Sequence, residues 1–260
     1  MVSITIASGK GGTGKTSIAV NLGIAMAQLG ANVAVLDADL EMANVELHLG
    51  IEGLGANLHK VMTGKAEIED AVFEGPYNLK IIPAGICWGG LERFDLTKIK
   101  EVFREITDLA DILIIDSPSG LGKCALAAIE LGEETMLIVT PEVSSMSDAL
   151  KTKIVASKLG SHVLGSILNR ATSQDELTAL EISKILELPV LATIPEDPEM
   201  RKSLAMGEPV LLRAPNSPSA MAIRKLAADL IGVKLEEDKK SLLSRFLQLF
   251  ERDKPLPRAF

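Results

Sequence analysis

Apolar residues along this chain fall into two kinds of stretch, and the two alternate. Short runs rich in β-branched side chains read as buried strands: Val2–Ala7, Val33–Leu36, Leu79–Pro83, Asp111–Asp116, Thr135–Thr140, His162–Leu168 and Leu188–Ile194. Between them lie longer stretches at helical spacing. Ile18–Leu29 closes on Gly30, Asp95–Leu109 carries Leu96, Ile99, Val102, Phe103 and Ile106 on one stripe, and Val143–Leu159 continues the pattern. Residues 215 to 231, with Pro and Ser at their start, predict a closing helix. Residues 41 to 76 predict short helices and turns. Strand and helix in alternation predict an α/β fold: a doubly wound, mostly parallel sheet with helices on both faces.

The first strand runs into Ser8-Gly9-Lys10-Gly11-Gly12-Thr13-Gly14-Lys15-Thr16-Ser17, and a helix follows at once. That context makes Gly9-x4-Gly14-Lys15-Thr16 a phosphate loop. Its glycines let successive backbone N–H groups turn toward phosphate oxygens, and the helix N-terminus adds partial positive charge. Gly11, Gly12, Thr13, Gly14, Lys15, Thr16 and Ser17 are therefore the expected nucleotide cradle. Lys15 reaches the β- and γ-phosphates and the Thr16 hydroxyl ligates Mg²⁺. Two further strands end in carboxylates, at Asp37-Ala38-Asp39 and at Asp116. Carboxylates leaving the C-terminal ends of parallel strands point into the crevice where such sheets bind ligands. There they hold a metal-bound water or orient the attacking one, although an Asp at a strand end also serves simply to cap the next helix. Ser117-Pro118-Ser119-Gly120 is a turn suited to sensing a γ-phosphate, or a plain connection. Asn169, at another strand end beside Arg170, has an amide able to pair with an adenine edge.

Composition narrows the picture without changing it. Apolar residues make up 47% of the 260, enough for a large core. Aromatics at 3% argue against a base-stacking platform, and 27 basic residues against 35 acidic ones give no field favouring nonspecific DNA. Nucleic acid is accordingly an unexpected partner. No uncharged apolar run reaches a membrane span, and the N-terminus opens directly into a core strand rather than a secretory signal. Cys87 and Cys124, without CxxC spacing, imply a reducing cytoplasm. The organisation expected is a phosphate-loop domain over 1–232, a charged linker over 233–240, a helix over 241–252 and a tail over 253–260. On that helix Leu242, Leu243, Phe246, Leu247, Leu249 and Phe250 share an arc of roughly 160°, with Arg245, Gln248 and Arg252 opposite. Such a helix lies in a lipid interface, docks on a partner or packs on its own core; the charged linker before it and its place beyond the closing helix favour lipid or partner over core.

Lys10-Gly11-Gly12-Thr13-Gly14-Lys15-Thr16 resembles the deviant Walker A motif of the MinD/ParA ATPases. The resemblance covers residues 1 to 231 and extends to Asp37-Ala38-Asp39, Asp116-Ser117-Pro118-Ser119-Gly120, Pro141-Glu142-Val143-Ser144-Ser145, Asn169-Arg170, Ile194-Pro195-Glu196-Asp197 and Asn216-Ser217-Pro218. It implies an ATP- and Mg²⁺-dependent homodimer in which Lys10 crosses to the partner's phosphates. Asp39 would position the attacking water, Asp37 and Asp116 would serve the magnesium, and Asn169, Arg170 and Pro195 to Asp197 would frame the adenine. The tail is similar to the membrane-targeting helix of that family, implying a cytoplasmic protein reversibly bound to the anionic inner face of the cell membrane. The segment Met146 to Lys153 lacks the family's alternating Asp and Arg, so the resemblance leaves the protein partner open, MinC- or MinE-like or other. Two rivals share the superfamily: a ParA-like DNA-associated ATPase, and an iron–sulfur carrier using Cys87 and Cys124.

Overall fold

The computed structural model describes residues 1–40, 42–51, 55–85 and 96–235. They form an eight-stranded sheet flanked by helices: β1 (Val2–Ala7), α1 (Lys15–Gln28), β2 (Val33–Asp37), α2 (Val45–Leu49), α3 (Leu58–Met62), β3 (Phe73–Glu74), β4 (Lys80–Ile82), α4 (Leu96–Thr107), β5 (Ile112–Asp116), α5 (Lys123–Leu131), β6 (Glu134–Val139), α6 (Val143–Lys158), β7 (His162–Ala171), α7 (Ala179–Leu186), β8 (Val190–Pro195), α8 (Pro198–Met206), α9 (Val210–Arg213) and α10 (Pro218–Ile231). The spatial order is β3-β4-β2-β5-β1-β6-β7-β8, and every pairing is parallel except β3 with β4. The doubly wound expectation holds, with a short antiparallel edge that the sequence pattern did not announce. β8 is the opposite edge rather than a core strand. No described strand pairs beyond it, and Thr193 is exposed while Val190, Leu191 and Ala192 are half-buried.

The period-two pattern of β1 explains how the sheet is covered. Ile4 and Ile6 join one core with Ile18, Leu22 and Met26 of α1 and Ile223 and Leu226 of α10. Ser3 and Thr5 point the other way and remain buried; Thr5 Oγ1 donates to the Ala128 carbonyl at 2.8 Å and Ser3 Oγ to Leu131 at 3.4 Å. The strand thus fastens α5 with two hydroxyls, each satisfied as burial requires. Leu36, Leu113 and Ile115 pack on that second face with Leu58, Val102 and Ala128. Two of the later helices start on side-chain caps: Thr178 and Glu181 form a reciprocal capping box on α7, and Ser217 caps α10 with Pro218 behind it. No helix among the described residues is long and apolar enough to cross a membrane. Cys87, most of the expected linker and the 241–252 helix lie outside the described residues.

Candidate functional site

β1 lies between β5 and β6, so the loop that leaves it at Ala7 emerges at the centre of the sheet's C-terminal edge. The loop closes around two left-handed glycines, Gly12 at φ 74° and Gly14 at φ 92°. A side chain at Gly14 would also collide with Asn169, whose Nδ2 would stand 2.5 Å from the new Cβ. Gly9 is demanded by proximity instead: a Cβ there would sit 2.5 Å from the Asp148 carbonyl on α6. Lys15, only 8% exposed, donates from Nζ to Ser8 Oγ at 3.1 Å and so curls back over the loop. Burial lowers its pKa, and the charges of Asp116 and Asp39 resist that shift.

Strand order brings the acids together. Asp37 and Asp116 are register partners on β2 and β5, and Asp116 also pairs with Ile6 of the loop-bearing strand. Burial, followed by the charge of Asp116, pushes Asp37 well above the usual carboxylate range, and backbone hydrogen bonds from Asp39, Val45 and Asn44 pull the other way. Those donors occupy both its oxygens: Oδ1 accepts from Asp39 N at 2.9 Å, and Oδ2 from Asn44 N at 3.0 Å and Val45 N at 3.1 Å. The capping alternative is therefore what this geometry displays for Asp37, which braces the loop carrying Asp39. Asp39 itself is partly exposed and accepts at Oδ1 from Met42 N at 3.0 Å. Asp116 is pushed to about 7 by burial, with Thr16 hydrogen bonding and the Lys15 charge opposing and the Asp39 charge adding. Its Oδ1 is buried and takes no hydrogen bond from the protein. An orphaned carboxylate oxygen beside the Thr16 hydroxyl suits a hydrated magnesium ion, which Asp116 and Thr16 would hold. Ser117 Oγ donates to Ile6 O at 2.9 Å and Gly120 N to Ser8 O at 3.0 Å, so the 117–120 turn runs along the phosphate loop.

On the other side, Gly14, Ser17, Asn169, Arg170, Pro195, Glu196 and Asp197 line one cleft. Met200, Arg201 and Leu204 of α8 complete it, residues that sequence reasoning missed because no local pattern ties that helix to the loop. Two predicted base contacts are already engaged. Asn169 Nδ2 donates to the Thr13 carbonyl at 2.7 Å, bracing the phosphate loop. Asp197 accepts from Glu199 N at 2.9 Å, Ser219 N at 3.1 Å and Ser219 Oγ at 2.6 Å, tying β8, α8 and α10 together. Arg170 adopts φ 59°, an uncommon conformation for a non-glycine residue and one seen where backbone strain serves a site. Lys10 stands apart from these groups: its Nζ meets Glu142 Oε2 at 2.6 Å, both side chains about half exposed. Glu142 is held below the usual carboxylate range chiefly by that hydrogen bond.

Strand, glycine loop and helix, with Lys15 and Thr16 facing strand-end carboxylates, define a phosphate-loop nucleotide-binding protein. Residues 2–231 match the family model described as ParA, the NUBPL iron-transfer P-loop NTPase. The chain is 47% identical over 257 residues to an uncharacterized ATP-binding protein of Methanocaldococcus jannaschii, covering 96% of this chain and 97% of that one. It superposes on the cell division ATPase MinD of Pyrococcus furiosus with a TM-score of 0.84 and 37% identity, covering 89% of this chain and 98% of that one. MinD of Pyrococcus horikoshii, solved in complex with Mg-ADP, gives 0.83 and 37% over 88% and 95%. The chain belongs to the MinD/ParA family of P-loop ATPases.

Proposed function

We propose that this protein hydrolyses ATP with Mg²⁺, dimerises around two bound nucleotides and cycles on and off the inner face of the cell membrane to position a division or localisation factor. The observation that carries the reading is the convergence of Lys15, Thr16, Asp39 and Asp116 on one phosphate loop. The loop amides and Lys15 bind and orient the phosphates, and Thr16 and Asp116 would hold the metal. Mg²⁺ supplies neutralisation of the charge that develops on the phosphates. Asp39, braced by Asp37, orients the attacking water. Lys10 leaves Glu142 for the partner's phosphates, a small sacrifice because exposed ion pairs contribute little. The similarity to Pyrococcus MinD, one example bound to Mg-ADP, supports the nucleotide and metal assignment. Leu242, Leu243, Phe246, Leu247, Leu249 and Phe250 would form the membrane face.

Phosphate release and co-sedimentation with anionic liposomes, each in ATP and in ADP, test the whole reading. ATP-selective binding is expected; equal binding in both nucleotides, or in neither, removes the membrane cycle. A second reading is favoured by the family model's own description as an iron-transfer NTPase. Cys124 stands half-buried on α5, packed against the second core. Iron content and a visible absorption band in anaerobically purified protein decide it.

A further inference from the structure

α2 is a five-residue helix that begins shortly after Asp39 and sits against α1. His48 on α2 lies between two elements. Its Nδ1 is 2.8 Å from the Asn44 carbonyl and its Nε2 is 3.0 Å from Ser17 Oγ. A carbonyl only accepts, so Nδ1 carries the proton and Nε2 receives the Ser17 hydroxyl hydrogen. Burial lowers the imidazole pKa and favours this neutral form. Both ends of the link reach the site. Ser17 follows Thr16 directly, and Asn44 N is bound to Asp37 Oδ2, the same carboxylate that holds Asp39 N. Asn21 extends the link: its Nδ2 donates to Ser17 O at 2.8 Å while its Oδ1 accepts from Leu211 N at 3.1 Å. At its far end α2 is seated glycine on glycine, since a Cβ on Gly50 would approach the Gly207 carbonyl to 2.7 Å.

We propose that His48 is a positioning residue: bridging Ser17 Oγ and the Asn44 carbonyl, it locks α2 to the first turn of α1 and thereby fixes the loop that presents Asp39. The inference rests on the ATPase reading for its kinetic consequence but not for its structural one. Leu at this position fills the volume and breaks both hydrogen bonds, whereas Gln offers one acceptor and one donor in place of the two ring nitrogens. The experiment compares full-length wild type, His48→Leu, His48→Gln, Ser17→Ala and the His48→Leu/Ser17→Ala double variant. ATP turnover and amide hydrogen exchange of residues 42–50 with Mg-ADP are measured for each. Expected is a kcat loss of about tenfold in His48→Leu with KM for ATP within twofold, recovery to within threefold in His48→Gln, and no further loss in the double variant. Exchange across 42–50 rises in His48→Leu and returns toward wild type in His48→Gln. Loss confined to KM, multiplicative losses in the double variant, or unchanged exchange overturns the proposal. Should the wild type bind ATP without turning it over, the functional reading fails while the exchange comparison still decides this one.

Discussion

Asp197 offers a sharp separation between a ligand contact and a structural keystone. Replacing it with Ala removes the N-terminal cap of α8, worth about 1 kcal/mol, by deleting the acceptor of Glu199 N. It also strands the Ser219 amide and hydroxyl, in a residue that is 0% exposed, at roughly 1–3 kcal/mol each. The sum is about 3–7 kcal/mol, a large part of the roughly 5–15 kcal/mol that keeps a domain folded. Asp197→Asn, which keeps one acceptor oxygen, should lose about half as much. Burial pushes the carboxyl pKa up, but hydrogen bonds from Ser219 and Glu199 outweigh it and hold the group below its ordinary 3.8. A depressed acid stabilises the fold fully above the unfolded value and ceases to as pH falls through the folded one. The gap between wild type and Asp197→Ala should therefore be constant at neutral pH and narrow below pH 3.8. Urea unfolding at pH 7 and at acid pH, alongside ADP calorimetry on the folded fraction, measures both. A stability loss under about 1 kcal/mol coupled to loss of ADP binding would refute the keystone argument and return Asp197 to the base pocket.

Other outcomes follow from the same geometry. Gly9→Ala should weaken ATP binding at least tenfold in calorimetry and destabilise the fold by about 1–3 kcal/mol, because the new methyl meets the Asp148 backbone rather than a movable side chain. Asp116, pushed to about 7, must give up a proton to serve a bound magnesium. Mg-ADP affinity should fall as pH drops below 7, by up to tenfold per unit, and Asp116→Asn should flatten the profile. Lys10→Ala and Lys15→Ala should each abolish ATP-dependent dimerisation in light scattering, with Lys15→Ala also losing nucleotide binding. Phe246→Asp should end liposome co-sedimentation while leaving ADP affinity unchanged.

Much of the fold was legible because its signals are local. Seven strands and the principal helices were marked by periodicity, and observed boundaries moved by only a few residues, as for β5, which begins at Ile112. α7, α8 and α9 went unmarked: they are short, α7 and α8 lean on caps at Thr178 and Asp197, and the α8 cap is itself held by Ser219, which lies distant in sequence. β3 consists of two residues whose pairing with β4 no pattern of its own could reveal.

The sequence alone determined the phosphate loop, since left-handed glycines, a following helix and a lysine at fixed spacing act through contiguous backbone. It determined equally that strands end in carboxylates. What only tertiary structure decided was the use of those groups. Asp37 became a brace, Asn169 and Asp197 were drawn into holding loop and helix together, and His48 met Ser17 across 31 positions. A buried polar group must find a partner wherever packing delivers one, and that choice depends on strand order, which no run of neighbouring residues encodes.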